Sequence, residues 1–402
     1  MSKYFLDIGW KSIRHVGEEL CGDHVDVIDD RNGNMTAVIA DGLGSGVRAS
    51  ILSTLTSKII STMIAEGLPL EECVSTIAST LPVMKDRNVA YSTFTILHVK
   101  DGKEMHLVQY DNPSVILLRN GEVFDYEKQE MHVEEKTIYS SSILLEEGDM
   151  FIAMSDGCPC AGPDNTYNLS WQVKDIASYM QCLYFAGYDA RTLSNMLVEE
   201  CNQLYEYKPA DDATAFVLSI KQKKKVNVLF GPPKKMEDTE PMIRMFFAEE
   251  GIHVVSGGST SRMVAEYLDT KVIPSMQKTD HDIPPVSTIR GVELTTEGVV
   301  TMNRVAQYAE DHIQNNAYYE QWSTKQDGAS LISRLLFEEA TDIHIFVGTA
   351  INPAHQNPGL AVSFNLKLDI VNTLKSALEK MGKNVSLSIF GLKALSKMKL
   401  NC

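Results

Sequence analysis

Residues 35–46 read Met-Thr-Ala-Val-Ile-Ala-Asp-Gly-Leu-Gly-Ser-Gly: a mostly apolar run, then a carboxylate, then glycine at positions 42, 44 and 46. The run from Met35 to Ala40 predicts a strand, and the glycines predict a turn into a helix from about Val47 to Ala65. Asp41 is thereby expected at a strand end, where the backbone holds a carboxylate firmly and a following Gly permits close approach to an ion. Immediately upstream, Val25 to Ile28 and the turn Arg31-Asn32-Gly33-Asn34 make this strand the second arm of a hairpin.

The same signals recur outward. Ser92 to Val99 and Glu104 to Tyr110 bracket Asp101-Gly102, and Ser114 to Leu118 and Glu122 to Tyr126 bracket Asn120-Gly121, which predicts consecutive hairpins and an antiparallel sheet. Helical periodicity marks Val47 to Ala65, with an apolar stripe at Ile51, Leu55, Ile59, Ile60 and Met63, and also Leu70 to Leu81, Trp171 to Ala186 and Ala190 to Tyr205. A strand at Ala213 to Ile220 closes this half. Antiparallel strands with helix pairs between them predict an α+β sandwich whose helices cover the sheet faces. Lys221 to Lys225 then reads as a solvated connector, and from Val226 strands and helices alternate, which predicts a separate α/β domain with a mainly parallel sheet. The expected domains are therefore 1–220, a linker at 221–225, and 226–402.

Composition bounds the function. The chain has 402 residues, 44% of them hydrophobic, enough for two or three domains with full cores. A net charge of -16 opposes the counterion release that drives nucleic-acid binding, and no apolar run is long enough to span a membrane. Neither nucleic acid nor membrane is an expected partner, a homodimer is compatible with this surface, and the cytoplasm is the expected location. Seven cysteines, an odd and scattered set, read as reduced thiols. Cys158-Pro-Cys160 has the wrong spacing for a zinc or redox pair, and structural burial is its expected role.

Asp-Gly occurs at 41, 101, 156 and 327. Asp101 reads as a hairpin turn, but Asp156, like Asp41, ends an apolar strand, Met150 to Met154. Gly22-Asp23 and Asp211-Asp212 each stand immediately before a strand. Taken in order, Gly22-Asp23, Asp41-Gly42-Leu43-Gly44-Ser45-Gly46, Ser155-Asp156-Gly157 and Asp211-Asp212-Ala213-Thr214 resemble the metal-dependent PPM-type protein phosphatases, specifically the bacterial stage II sporulation protein E-like group. The resemblance covers about residues 1–220.

It implies an αββα sandwich of two antiparallel sheets with a two-metal site at one end. Residue by residue, it implies Asp23 as a metal ligand, Asp41 as the carboxylate bridging two metals, the Gly42 carbonyl as a metal contact, and Asp156 and Asp211 as further ligands. Asp212 is open between ligation and hydrogen-bonding the turn into its strand. Oxygen donors without His or Cys suit Mn²⁺ or Mg²⁺ rather than zinc. The implied activity is hydrolysis of phosphoserine or phosphothreonine on a bacterial signalling protein, by in-line attack of a hydroxide bridging two divalent metals, with Asp41 and Asp156 as the catalytic pair. The phosphate-holding Arg of eukaryotic members has no full counterpart; Lys11, Arg14 and His15 stand there without the full motif, and Lys11 and Arg14 are the candidates, each also readable as a solvated strand residue.

Past residue 226 the resemblance stops. Gly231-Pro232-Pro233 and Gly257-Gly258-Ser259-Thr260 are each shaped like a βα turn that could cradle an anion, although Gly and Ser also simply close turns and cap helices. Thr295-Thr296-Glu297-Gly298 and Val347 to His355 add polar groups at expected strand ends. The second half is read as a regulatory domain with a small anionic ligand. The competing reading is a non-catalytic signalling scaffold whose second domain does the sensing.

Overall fold

A computed structural model of the chain describes residues 3–30, 33–80, 83–84, 89–90, 92–133, 136–162, 171–275, 286–314, 316–350 and 364–391. It divides into two units, Met1–Gln222 and Lys223–Cys402. Strands of the first unit are β1 (Tyr4–Ile13), β2 (Asp23–Asp29), β3 (Met35–Gly42), β4 (Val83–Met84), β5 (Val89–Ala90), β6 (Ser92–Lys100), β7 (Glu104–Tyr110), β8 (Ile116–Arg119), β9 (Glu122–Val123), β10 (Gln129–Val133), β11 (Lys136–Leu144), β12 (Met150–Met154) and β13 (Ala213–Gln222). Its helices are α1 (Gly46–Ala65), α2 (Leu70–Thr80), α3 (Val173–Tyr184) and α4 (Ala190–Leu204).

These strands form two main antiparallel sheets, one ordered β1-β13-β12-β8-β9 and the other β10-β11-β7-β6-β3-β2. Strand alternation sends each residue to one of two cores. Met35, Ala37 and Ile39 of β3 meet Phe151 and Ala153 of β12 and Phe216 and Leu218 of β13 between the sheets. The alternate residues Val38 and Ala40 face Ile60, Ile64, Val74 and Ile77 of α1 and α2. On the other sheet, Ile152 and Met154 pack under Ile176, Met180, Leu193 and Leu197 of α3 and α4. The result is the αββα layering expected from the resemblance.

Helix α1 departs from the expected orientation. Val47, Ile51, Leu55 and Ile59 are exposed, Ile51 and Leu55 at 54% each, whereas Ala49, Ser53, Ser57 and Ser61 are buried. The cause lies on β2: its helix-facing residues are polar, with the His24 ring against Ser57 Oγ at 2.8 Å and the Asp26 carboxylate taking Ser61 Oγ–H and the Lys58 ammonium. Hydroxyls satisfy those buried acceptors where leucines would strand them. Two further expectations change. The third hairpin is shorter, only β8 and β9 around a turn with Asn120 at φ 52, and Cys160 is exposed while Cys158 is buried.

The second unit contains β14 (Lys225–Phe230), α5 (Thr239–Ala248), β15 (Ile252–Ser256), α6 (Gly258–Tyr267), β16 (Ile273–Pro274), β17 (Ser287–Ile289), β18 (Val292–Thr296), α7 (Val299–Gln314), α8 (Tyr319–Thr324), α9 (Gly328–Arg334), β19 (Asp342–Gly348), α10 (Phe364–Lys380) and β20 (Asn384–Phe390). Since β13 runs to Gln222 and β14 begins at Lys225, only Lys223 and Lys224 of the anticipated 221–225 connector lie outside strands. The sheet order is β16-β17-β18-β15-β14-β19-β20, with β18, β15, β14, β19 and β20 mutually parallel and β16 and β17 antiparallel at one edge. From β14 the chain builds outward through β15 to β18, then returns to the far side of β14 as β19 and β20. Strand order therefore reverses between β14 and β19, the position at which open α/β sheets bind ligands beyond the strand carboxyl ends.

Candidate metal centre

The alternation that buries Met35, Ala37 and Ile39 between the sheets carries Asp41 to the rim of the same face. On β2, Val25 and Val27 share that face with Asp23, and Asp23 pairs directly opposite Asp41. From the other sheet, Asp156 follows β12, and Asp211 and Asp212 precede β13. The carboxylates thus meet at one end of the sandwich, around a cavity of about 590 Å³ whose wall includes Asp41, Asp156 and Asp211. Asp23 and Asp212 lie deeper, 6% and 2% exposed.

Close packing fixes the loops. A Cβ on Gly42 would stand 2.1 Å from the Ala49 carbonyl oxygen in α1, and one on Gly157 would stand 2.1 Å from the Asp212 carbonyl oxygen. Only glycine lets those backbones approach so nearly. Ser155 joins the two sheets: its hydroxyl donates to Asp23 Oδ2 at 2.7 Å and its oxygen accepts the Thr214 N–H at 2.9 Å. Asp212 Oδ1 accepts the His15 backbone N–H at 3.0 Å, which ties the end of β1 to the site.

The electrostatics are those of crowded acids. Burial, then repulsion from Asp212 and Asp156, pushes the Asp23 carboxyl above its ordinary range against the pull of the Ser155 hydrogen bond. Burial likewise raises Asp41, reinforced by Asp23 and Asp156. Asp211 is pushed up to about 6 by burial and then by Asp156. Asp23 Oδ1 and Asp212 Oδ2 are buried with no hydrogen-bond partner. Unpartnered acid oxygens among mutually repelling carboxyls fit a hard divalent cation. Among the described residues, no three His, Cys, Asp or Glu side chains are drawn together as a finished metal cage.

The structure thus brings Asp23, Asp41, Gly42, Asp156, Asp211 and Asp212 to one end of the fold. It does not bring Lys11 or Arg14 there. Lys11 is exposed on β1 opposite Ala215, whose side chain belongs to the α3–α4 core, and the Arg14 guanidinium donates to the Glu19 carbonyl at 3.1 Å. The residue of that segment on the cavity wall is His15, together with Ser92, Thr93 and Asp111 from the far side. Ser155, next to the Asp-Gly pair, was findable from its position in Ser-Asp-Gly. Asp111 carries no comparable signal, because its place depends on the turn after β7, where it adopts φ 59. Cys158 lies buried, its thiol directed at the Thr214 carbonyl, and Cys201 is directed at the Cys158 carbonyl.

In the second unit, Gly257 with φ 123 leads into α6, and Ser261 returns to the Gly257 carbonyl through both its N–H and its hydroxyl. Thr260 Oγ1 accepts the Gly231 N–H at 3.1 Å. The Glu297 carboxylate oxygens lie 3.4 and 3.5 Å from where a Cβ of Gly258 would stand. The Gly257–Thr260 turn therefore has the chain's own anion beside it. His355 lies outside the described residues.

Comparison with known proteins matches residues 31–221 to the family model of stage II sporulation protein E. A curated relative, stage II sporulation protein E of Bacillus subtilis, is 25% identical over 209 residues, covering 51% of this chain; the chain spans only 24% of that protein's length. Among solved structures, the phosphatase domain of SpoIIE from Bacillus subtilis is 20% identical with a TM-score of 0.44, covering 55% of this chain and 95% of that one. A second, the SpoIIE phosphatase domain with a fragment of its regulatory domain, is 21% identical with a TM-score of 0.48, covering 55% and 64%. Residues 31–221 are accordingly a SpoIIE-like segment of the PPM phosphatase type.

Proposed function

We propose that the first unit is a divalent-metal-dependent phosphatase that hydrolyses phosphoserine or phosphothreonine on a bacterial signalling protein in the cytoplasm, and that the second unit regulates it. One observation carries this reading: acids from both sheets converge at one cavity, where burial holds Asp23, Asp41 and Asp211 above the ordinary carboxyl pKa and Asp23 Oδ1 and Asp212 Oδ2 are left without partners. Asp23, Asp41, the Gly42 carbonyl, Asp156 and Asp211 would hold Mn²⁺ or Mg²⁺, and Asp212 would add its unpartnered Oδ2 or serve as the strap to His15. Two such ions, when bound, supply an activated water and neutralise charge on the phosphoryl group.

The chain's own residues do the positioning. Ser155 holds Asp23 by donating to Oδ2, while Oδ1 stays buried without a partner and so available to a cation. Gly42 and Gly157 allow the loops from opposite sheets to close on the same point. His15, on the wall with its Nδ1 buried and unpartnered, is better placed than Lys11 or Arg14 to meet a phosphoryl oxygen.

The test is hydrolysis of a phosphoserine peptide by the full chain with Mn²⁺, with EDTA, and with Asp41→Ala. Activity is expected only for the wild type with metal. Hydrolysis that survives both chelation and the substitution would sink the proposal.

A further inference from the structure

Where β3, β6, β7 and β11 run past the core between the sheets, the inner face of their sheet turns polar. Ile39, Leu97, Leu107 and Ile143 lie in that core. Alternation along each strand carries Asp41, Thr95, Gln109 and Tyr139 to the same face. The pairing agrees: Asp41 stands opposite Thr93, and Gln109 stands between Thr95 and Tyr139. The face that brings Asp41 to the metal centre therefore continues, strand by strand, to β11.

A second cavity, of about 440 Å³, opens on this row. Gln109, Asn112, Ser114, Lys128, Thr137 and Tyr139 line it, and Asp111 belongs both to its wall and to that of the acidic cavity. Its floor is held by hydrogen bonds. Thr93 Oγ1–H donates to Asn112 Oδ1 at 2.6 Å, and Asn112 Nδ2–H donates to Thr95 Oγ1 at 3.2 Å. Gln109 Oε1 accepts the Val115 N–H at 2.7 Å, and the Tyr126 hydroxyl donates to the Val115 carbonyl at 2.6 Å.

Lys128 supplies the charge. Its ammonium donates to Ser114 Oγ at 2.9 Å and lies 5.3 Å from the centroid of the Tyr126 ring. Ser114 takes one of its three N–H donors, and among the described residues no carboxylate is ion-paired with it. Among the described residues it is the one lysine or arginine on either wall. The only acid on the second wall, Asp111, is the residue shared with the metal centre. Acids thus crowd one end of the row and a cation stands at the other.

We propose that the second cavity is a subsite for the phosphoprotein substrate, taking an acidic side chain near the phosphorylated residue, with Lys128 as its charge partner. The proposal rests on the phosphatase reading of the first unit. Strand order β3-β6-β7-β11 makes the reach three strand spacings. At about 4.8 Å each that is about 14 Å, or roughly three to four residues of extended peptide.

Peptide kinetics of the full chain with Mn²⁺ test it. The substrates are a phosphoserine peptide flanked by alanines and the same peptide with glutamate or lysine three and four residues to either side. Glutamate on one side should raise kcat/KM roughly two- to fivefold over alanine, the range of an exposed ion pair. Lys128→Ala should bring that ratio close to one, Lys128→Arg should keep it, and Lys128→Glu should turn it in favour of lysine. Hydrolysis of the alanine peptide with no gain from glutamate, or a gain that Lys128→Ala retains, would overturn the subsite and leave the phosphatase reading standing. A wild-type preference for lysine would overturn it too, and would give the wall's charge to Asp111. No hydrolysis of any peptide would remove the phosphatase reading, and the subsite with it.

Discussion

Asp23 and Asp41 stand directly opposite one another across the β2–β3 pair, on the face that looks between the two sheets. Like charges in that register destabilise a sheet, and the burial of both strips away the water that would screen them. In EDTA at neutral pH, Asp41→Asn should therefore stabilise the fold by about 1–3 kcal/mol, the scale of one or two pKa units. Urea denaturation measures this. Adding Mn²⁺ should raise the wild-type midpoint and leave the variant near its metal-free value. A variant weaker than the wild type in EDTA would mean that Asp41 is held by contacts and not strained by repulsion.

Two glycines of the same loop separate crowding from backbone strain. Gly42→Ala sets a methyl against the Ala49 carbonyl at 2.1 Å, backbone that moves only if α1 moves. Overpacking of this kind costs about 1–3 kcal/mol. Gly44→Ala meets nothing within 4 Å, but φ is +90, so it costs roughly 1–2 kcal/mol of left-handed strain. Both variants should melt below the wild type, and only Gly42→Ala should also lose the Mn²⁺-induced rise in melting temperature. A full metal response in Gly42→Ala would show that the approach of α1 to β3 does not shape the site.

The outward stripe of α1 yields a sharper contrast. Ile51→Glu and Leu55→Glu alter residues that are each 54% exposed, and surface changes usually stay within about 0.5 kcal/mol. Ile60→Ala empties a fully buried position against Val38 and Phe94 and should cost about 2–5 kcal/mol. Chemical denaturation of the three variants checks the helix's rotation. A loss of several kcal/mol in Leu55→Glu would place that stripe in a core.

That helix also shows where sequence stops being sufficient. The period at Ile51, Leu55 and Ile59 fixes a helix correctly, but which face turns inward depends on what β2 presents. His24 and Asp26 ask for hydroxyls, a demand visible only once the two elements are adjacent. The carboxylate positions were legible because strand ends and Asp-Gly pairs are local signals. His15 and Asp111 were not, because they reach the cavity through the pairing of β1 with β13 and the turn after β7. Lys11 and Arg14 carried the right charge, but the β1 register turns Lys11 elsewhere and Arg14, past the end of β1, donates to the Glu19 carbonyl. In the second unit the alternation of elements foretold a parallel sheet. It could not reveal that Lys367 of α10 is buried, since nothing in a lone lysine on a helical stretch says where its ammonium ends.

His98 supplies a pH dependence away from the acidic cavity. It lies half-buried on β6, with Nδ1 3.0 Å from Thr36 Oγ1 and its ring 6.1 Å from that of His106. Burial, then the nearby His106 and Lys100, lowers its pKa from 6.5. As pH falls through 6.5, the unfolded chain takes up this proton before the folded one, so the unfolded state binds more protons and stability declines. The decline ends below the folded pKa, where both states carry the proton. His98→Gln keeps a partner for Thr36 and removes the titration, so its urea midpoint should fall less than the wild type's between neutral pH and about pH 5, the range in which a lowered imidazole pKa acts. Equal slopes for the two proteins would assign the acid sensitivity of this unit to other groups.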